Sequence, residues 1–475
     1  MPDRLSPLDA SFLYLEEPTT AMHVGSVAIF ETPPDGFDYE RLLALVQARI
    51  AYVPRYRQRV RVVPGRLANP VWVDDEDFDI EYHVRRSALP RPGTTAQLTE
   101  LVARVQSRQL DRDRPLWEVY LVEGLQDDRF ALVTKTHQAL VDGVNAVDIG
   151  QVLLDDDAAF PDVPTDTWKP APEPTDLELV VSAVADAVRS PGEAVNLVRG
   201  GVADVRATAG KVLGQVGHLA STAARTAARP APTSPLNVDI GEQRRYAVVA
   251  TSLEDHRRVR ARHSRPGSAE LDVNDVVLST VAGALRSWLL TRGEPVGPAT
   301  VVRALVPLSV RVDEQGSHRD GNRVGNRVAG VVVDLPVGER NPAVRLHQVA
   351  YGMRAQETTR QAVGARALVG IAGFAPPTLH SLGARVASAA SRRLFNLIVT
   401  NVPGPQHPLY AGTARMLESY PVMPLARGQA LSIGMTSYDG CVYYGLNGDR
   451  DAMADVDVLA SCVVEALSEL LETAR

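Results

Sequence analysis

The sequence predicts an α/β protein of two similar-sized halves around a helical insert. Three observations predict it. Strand and helix patterns alternate over residues 1–160. Two proline clusters then enclose a stretch rich in Ala and Val, and the alternation resumes near 241. The expected division is 1–160, a proline-rich and helical linker at 161–240, and 241–475.

In the first half, FDYERLLALVQARIAYVP (37–54) places Leu42, Leu43, Val46 and Ile50 on one helical face, and Pro54 ends it. RYRQRVRVV (55–63) alternates Arg55, Arg57, Arg59 and Arg61 with Tyr56, Gln58, Val60 and Val62, the period of a half-exposed strand. TAQLTELVARVQSRQL (95–110) is a second amphipathic helix. WEVYLVEGL (117–125) and RFALVTKTH (129–137) are strands around a Gln126-Asp127-Asp128 turn, and GVNAVDIGQVLL (143–154) is a helix after a loop.

Pro161, Pro164, Pro170, Pro172 and Pro174 around Trp168 make a stiff linker. Residues 176–230 read as long apolar helices whose charges after Asp204 are only basic. That pattern fits either a packed connector or a helix lying on an anionic membrane. Beyond 241, RRYAVVATSL (244–253), VVRALVPLSV (301–310), RVAGVVVDLPV (327–337), RLFNLIVTNVPG (393–404) and CVYYGLNGD (441–449) read as strands. Residues 274–293 and 455–474 are helices, the first with Asn274 as expected N-cap and Gly293 as its stop.

Composition narrows the class. The 475 residues are 45% apolar and 23% charged, with a net charge of −7, which argues against a general nucleic-acid binder. Cys441 and Cys462 are too few for a disulfide scaffold or a cysteine-rich zinc site. No His spacing suits a metal, so none is expected. The first residues lack a basic and then apolar leader, and no uninterrupted apolar 20-mer occurs. A cytoplasmic, non-spanning protein is expected, with attachment to a membrane or lipid-body surface left open.

KTHQALVDGVNAVD (135–148) is the most informative stretch for chemistry, because it sits where a strand ends and a helix begins. HQALVDG (137–143) resembles the HHxxxDG motif of the CoA- and carrier-dependent acyltransferases. The neighbouring segments SPLDASFLYLE (6–16), MHVG (22–25), PLW (115–117) and ND (274–275) narrow the resemblance. PLSVR (307–311), GNRVGNRV (321–328), TNVPGP (400–405) and LSIGMTSYDG (431–440) narrow it further. In this order they are similar to the bacterial wax ester synthase/diacylglycerol acyltransferases, from residue 6 to residue 440.

The resemblance implies two chloramphenicol acetyltransferase-like three-layer α/β domains with a channel between them. It implies acyl transfer from acyl-CoA, a substrate and not a cofactor, to diacylglycerol or a long-chain fatty alcohol by direct attack on the thioester. The catalytic positions it points to are His137, Gln138, Asp142 and Gly143. Asp142 would hold the loop through an Arg, with Arg311 as its partner, or would merely cap the following helix. The Gly143 amide would help orient the thioester carbonyl. Asn274 and Asp275 are structural candidates, and Asn401, Thr400 and Trp117 are substrate-contact candidates. Trp117 and Trp72 also fit core or channel-wall packing, and His23 fits packing.

One departure matters. The slot of the motif's second His, usually the base, holds Gln138. An amide has no useful proton affinity near neutral pH. Three accounts stay open: His137 is the base, another group or a water serves, or the chain is a catalytically weak member that binds acyl-CoA or lipid. The Arg55–Arg61 row offers guanidinium groups for a CoA phosphate or else a solvated strand face. No G-x-S-x-G elbow occurs, so Ser309 is not read as a hydrolase nucleophile.

Overall fold

The structure, a computed structural model, describes residues 3–141, 149–161, 168–189, 230–264, 271–310, 327–359 and 394–473. Asp142, Gly143 and Arg311 lie outside these residues, as does most of the 176–230 helical stretch.

Fifteen described strands form three sheets. A small one joins β1 (Asp3–Arg4), β4 (Val71–Asp74) and β3 (Gln58–Arg61) in that order. The first large sheet uses β2 (His23–Glu31), β5 (Val84–Ala88), β6 (Trp117–Leu125), β7 (Arg129–His137), β12 (Tyr410–Ala411) and β13 (Ala414–Val422). Their order is β12-β13-β2-β7-β6-β5. The second uses β8 (Arg244–Ser252), β9 (Val302–Val310), β10 (Arg327–Leu335), β11 (Leu397–Pro403), β14 (Leu431–Tyr438) and β15 (Cys441–Asp449), ordered β10-β9-β11-β14-β15-β8.

The β6–β7 hairpin closes through Asp127 and Asp128, both at positive φ (63° and 53°), the turn geometry that matches strand twist. Helices Tyr39–Ile50 and Thr95–Gln106 bury Leu42, Leu45, Leu98 and Val102 in the first core. Helices Val273–Thr291 and Val456–Thr473 bury Leu285, Trp288, Leu459 and Val463 in the second.

Residues 410–422 come from the second half of the chain yet complete the first sheet, β13 pairing antiparallel with β2. Hydrogen bonds from Tyr246 Oη to the Pro421 carbonyl (3.0 Å) and from Asn447 Nδ2 to the Met423 carbonyl (2.7 Å) fasten this crossing segment to the second sheet.

Two local expectations are corrected. Residues 55–57 belong to a 3-10 helix (Pro54–Arg57), so the strand is only Gln58–Arg61 and the arginines share no solvated face. Arg55 pairs with Asp3 and lies over Trp72. Arg57 is buried, its guanidinium 4.9 Å from the Trp168 ring centroid. Arg59 and Arg61 pair with Glu173 at 2.6 and 3.2 Å, and Arg61 also with Asp176 at 3.0 Å. Arg57, Arg59 and Arg61 therefore clamp the proline-rich linker, and the charges of Arg55, Arg59 and Arg61 are taken up by carboxylates rather than offered to a CoA phosphate. In the second correction, Asp272 and not Asn274 caps Val273–Thr291. A capping box with Asp275 outcompetes it, the Asp275 carboxylate accepting the Asp272 N–H at 2.9 Å.

Gly25, in MHVG, stands opposite Lys135 in the β2–β7 ladder. A Cβ there would lie 2.1 Å from the Thr134 carbonyl oxygen, which is backbone and cannot yield. Gly25→Ala is expected to cost about 3 kcal/mol or more. A urea titration checks this, and a midpoint equal to the native one would contradict it.

Candidate active site

The central strand β7 ends at His137, and a single helical turn, Gln138–Val141, follows at once. Three segments hold this corner. The His137 N–H donates to the Leu116 carbonyl (3.0 Å) in PLW, and the Gln138 N–H donates to the Met22 carbonyl (2.9 Å) in MHVG. Helix Pro7–Leu15, from SPLDASFLYLE, packs against the Gln138–Val141 turn. It delivers Glu16, whose Oε2 is 3.8 Å from His137 Nε2.

The neighbours 137 and 138 part company. His137 has no exposed surface. Its Nδ1 accepts the Ala139 N–H at 3.0 Å, so the proton of the neutral ring is on Nε2, facing Glu16. Burial pushes this imidazole down to about 4; the Glu16 carboxylate opposes that only in part, and Arg112 adds to it. A neutral ring whose basic lone pair is already bonded inside the core is poorly placed to take a proton from a substrate. Gln138 is half-buried, so it is the member of the pair that solvent reaches.

Glu16 ends the SPLDASFLYLE segment, but the sequence alone does not single it out as a site residue, because its partners lie 6, 96 and 121 residues away and converge only in the fold. Its side chain is 1% exposed and accepts from Arg112 Nε (3.0 Å) and Nη2 (2.7 Å) and from the Met22 N–H (3.1 Å).

The other candidates fall in two places. Trp117 is fully buried, its indole N–H donating to the Tyr56 carbonyl (2.8 Å) and its ring stacked on His83 at 4.6 Å. This is core packing, not a surface for substrate. Trp72 and His23 are also buried, with His23 Nε2 on the Gln106 carbonyl at 2.9 Å. Asn274 and Asn401 meet: Asn401 Nδ2 donates to Asn274 Oδ1 at 3.0 Å, linking the first turn of Val273–Thr291 to β11. Thr400, beside Asn401, is buried. If that link is a unit, Asn274→Ala and Asn401→Ala each cost about 1 kcal/mol and the double variant little more. Urea unfolding of all four chains tests this; strictly additive losses would contradict it.

Among the described residues no cluster of three or more metal-ligating side chains occurs, and no helix is long and apolar enough to cross a membrane.

Two mixed sheets that share a crossing segment, with a strand-to-helix corner bearing His137-Gln138 at the end of a central strand, define a CoA-acyltransferase type of fold. The family model described as the wax ester synthase/diacylglycerol acyltransferase catalytic domain matches residues 5–277, and the WS/DGAT C-terminal domain matches 324–471. The probable diacylglycerol O-acyltransferase tgs3 of Mycobacterium tuberculosis is 48% identical over 264 residues, 55% of this chain and 97% of that protein. The probable diacylglycerol O-acyltransferase tgs2 of the same organism is 34% identical over 473 residues, 98% of each chain. The solved wax ester synthase/diacylglycerol acyltransferase from Marinobacter aquaeolei VT8 superposes with a TM-score of 0.68 at 29% identity, covering 99% of both chains. The starter condensation domain of rhizomide synthetase shares the fold, with a TM-score of 0.55 at 13% identity, covering 100% of this chain and 94% of that one.

The chain belongs to the wax ester synthase/diacylglycerol acyltransferase family and is an acyltransferase.

Proposed function

We propose that this protein transfers the acyl group of a long-chain acyl-CoA to the hydroxyl of diacylglycerol or a long-chain fatty alcohol, giving triacylglycerol or wax ester. The observation that carries this reading is the match of both family models, 5–277 and 324–471, to one chain. The alcohol oxygen attacks the thioester carbonyl carbon and the C–S bond breaks. The CoA thiolate leaves, and the hydroxyl proton ends on its sulfur. Acyl-CoA is consumed as a substrate, and no metal enters the reaction scheme.

Within the corner, Gln138 is the group that meets the alcohol. Its amide oxygen accepts the hydroxyl hydrogen and aims the oxygen without removing the proton. The burial of His137 and the Ala139 bond to its Nδ1 support this division over one in which His137 is the base. A water or the departing thiolate then takes the proton, and turnover is slow for the family's chemistry: a missing general base costs about 10² to 10⁴ in rate. Asp142, Gly143 and Arg311 keep the roles the resemblance implies for them. Asn401 and Thr400 remain polar groups for the substrate side, Asn274 and Asp275 support them, and Trp117 is packing.

We place the reaction at a lipid surface, where both acceptors reside. Helix Asp176–Arg189 supports this with Leu177, Val181 and Val184, which are exposed on one face while Leu179 and Ala183 are buried on the other.

Steady-state assays with palmitoyl-CoA and diacylglycerol, or hexadecanol, test the proposal. Equal release of CoA and ester above the no-protein rate is expected. No ester with either acceptor, despite acyl-CoA binding, would make the chain a silent binder instead.

A further inference from the structure

SPLDASFLYLE marks the family resemblance, yet the proposed reaction gives it no task. Its last residue, Glu16, caps helix Pro7–Leu15, and its carboxylate is sealed from solvent. Four contacts define that carboxylate. Arg112 clamps it with two N–H groups, at 3.0 and 2.7 Å, and the Met22 N–H reaches it at 3.1 Å. Oε2 lies 3.8 Å from His137 Nε2. Arg112 is itself tied to the end of the same helix, Nη2 donating to the Leu13 carbonyl at 2.8 Å.

The other face of the ring supplies the second half of the device. Nδ1 accepts the N–H of Ala139, the second residue of the turn that Gln138 opens. That bond exists only while Nδ1 carries no proton. A fixed negative charge beside Nε2 favours the tautomer with its proton there and disfavours the alternative. Glu16 and the Ala139 N–H thus select one ring state from opposite sides, and that state ties the turn to the end of β7.

We propose that Glu16, held by Arg112, is a positioning residue for acyl transfer: it locks His137 in the Nε2–H form, so that the Gln138–Val141 turn is held in the pose that presents Gln138. This rests on the reading of that turn as the reacting corner. Glu16 touches no substrate in the scheme. Its removal should slow turnover without weakening acyl-CoA binding.

The test uses the full chain with nitrogen-15 histidine, the His137 signals being assigned by their loss in His137→Asn. In the native chain at pH 7.5, Nε2 should be protonated and Nδ1 bare; a proton on Nδ1 overturns the proposal. Glu16→Gln keeps the shape of the side chain but removes the fixed negative charge that favours a proton on Nε2. It should bring in the Nδ1–H form and lower kcat at least tenfold, with the acyl-CoA KM within twofold. An unchanged tautomer with native kcat overturns the proposal, as does a loss confined to melting temperature. Should Glu16→Gln fail to fold, Arg112→Lys, which keeps a cation but not the two-pronged clamp, replaces it with the same direction expected in both readouts. If the native chain forms no ester at all, the proposed function fails, and the two spectra still decide the tautomer lock.

Discussion

Gln138→His is expected to raise kcat at least tenfold, the largest gain any single change to this chain should give. A correctly placed general base is worth about 10² to 10⁴ in rate, so the lower bound allows for a corner whose other groups surround an amide. Position favours the change. The backbone of residue 138 is pinned to the Met22 carbonyl, and the side chain occupies the half-buried side of the pair. The new imidazole would therefore sit where the alcohol is proposed to bind, unlike His137, which is sealed. A second signature should accompany the gain. The kcat of the variant should rise with pH as the new ring loses its proton, near the ordinary histidine value of about 6.5. The native chain should lack that limb. Ester formation from palmitoyl-CoA between pH 5.5 and 9 measures both, and an unchanged rate would mean that slot 138 does not meet the reacting hydroxyl.

Acid should destabilise the native chain through His137 more than through most other groups. The unfolded ring protonates near 6.5, whereas burial holds the folded ring down to about 4. Between those values the unfolded chain binds a proton that the folded chain refuses. Stability from the neutral ring is therefore complete above about pH 6.5 and is lost as pH falls toward 4. The full loss is about 3 kcal/mol. His83, pushed down to about 4 by burial and only partly restored by its bond to the Trp117 carbonyl, adds a loss of the same sign. His137→Asn isolates the first contribution, since the Asn Oδ1 can accept the Ala139 N–H but cannot titrate. Urea unfolding at pH 8, 6, 5 and 4.5 should show a shallower decline for the variant, although it starts less stable because of lost packing. Parallel declines would contradict the assignment.

Local pattern made much of this fold readable, and distance hid the rest. The 117–125 and 129–137 strands and the 441–449 strand carry their apolar runs and turn residues in plain view, and the structure keeps those limits. The helix at 273–291 was legible but not its cap, because Asp272 and Asn274 are both good capping residues and only the reciprocal bond to Asp275 decides between them. Arg55 to Arg61 show a strand period, but Pro54 starts a 3-10 turn there, and Trp168 and Glu173, more than a hundred residues on, capture the side chains. No local signal announces that 410–422 would join the first sheet. At the candidate site, the alternation of side chains along a strand says that 137 and 138 face opposite ways. It cannot say which faces in; the packing of helix Pro7–Leu15 and Glu16 against the corner settles that for His137.

The central claim is that ester formation happens at the turn after β7, with Gln138 and not His137 against the alcohol. A crystal structure of the chain with a non-hydrolysable thioether analogue of palmitoyl-CoA and hexadecanol tests it most directly. The alcohol oxygen should lie within hydrogen-bond reach of the Gln138 amide, with His137 still buried and its Nδ1 on the Ala139 N–H. An alcohol oxygen bonded to His137, or bound away from this turn altogether, would contradict it.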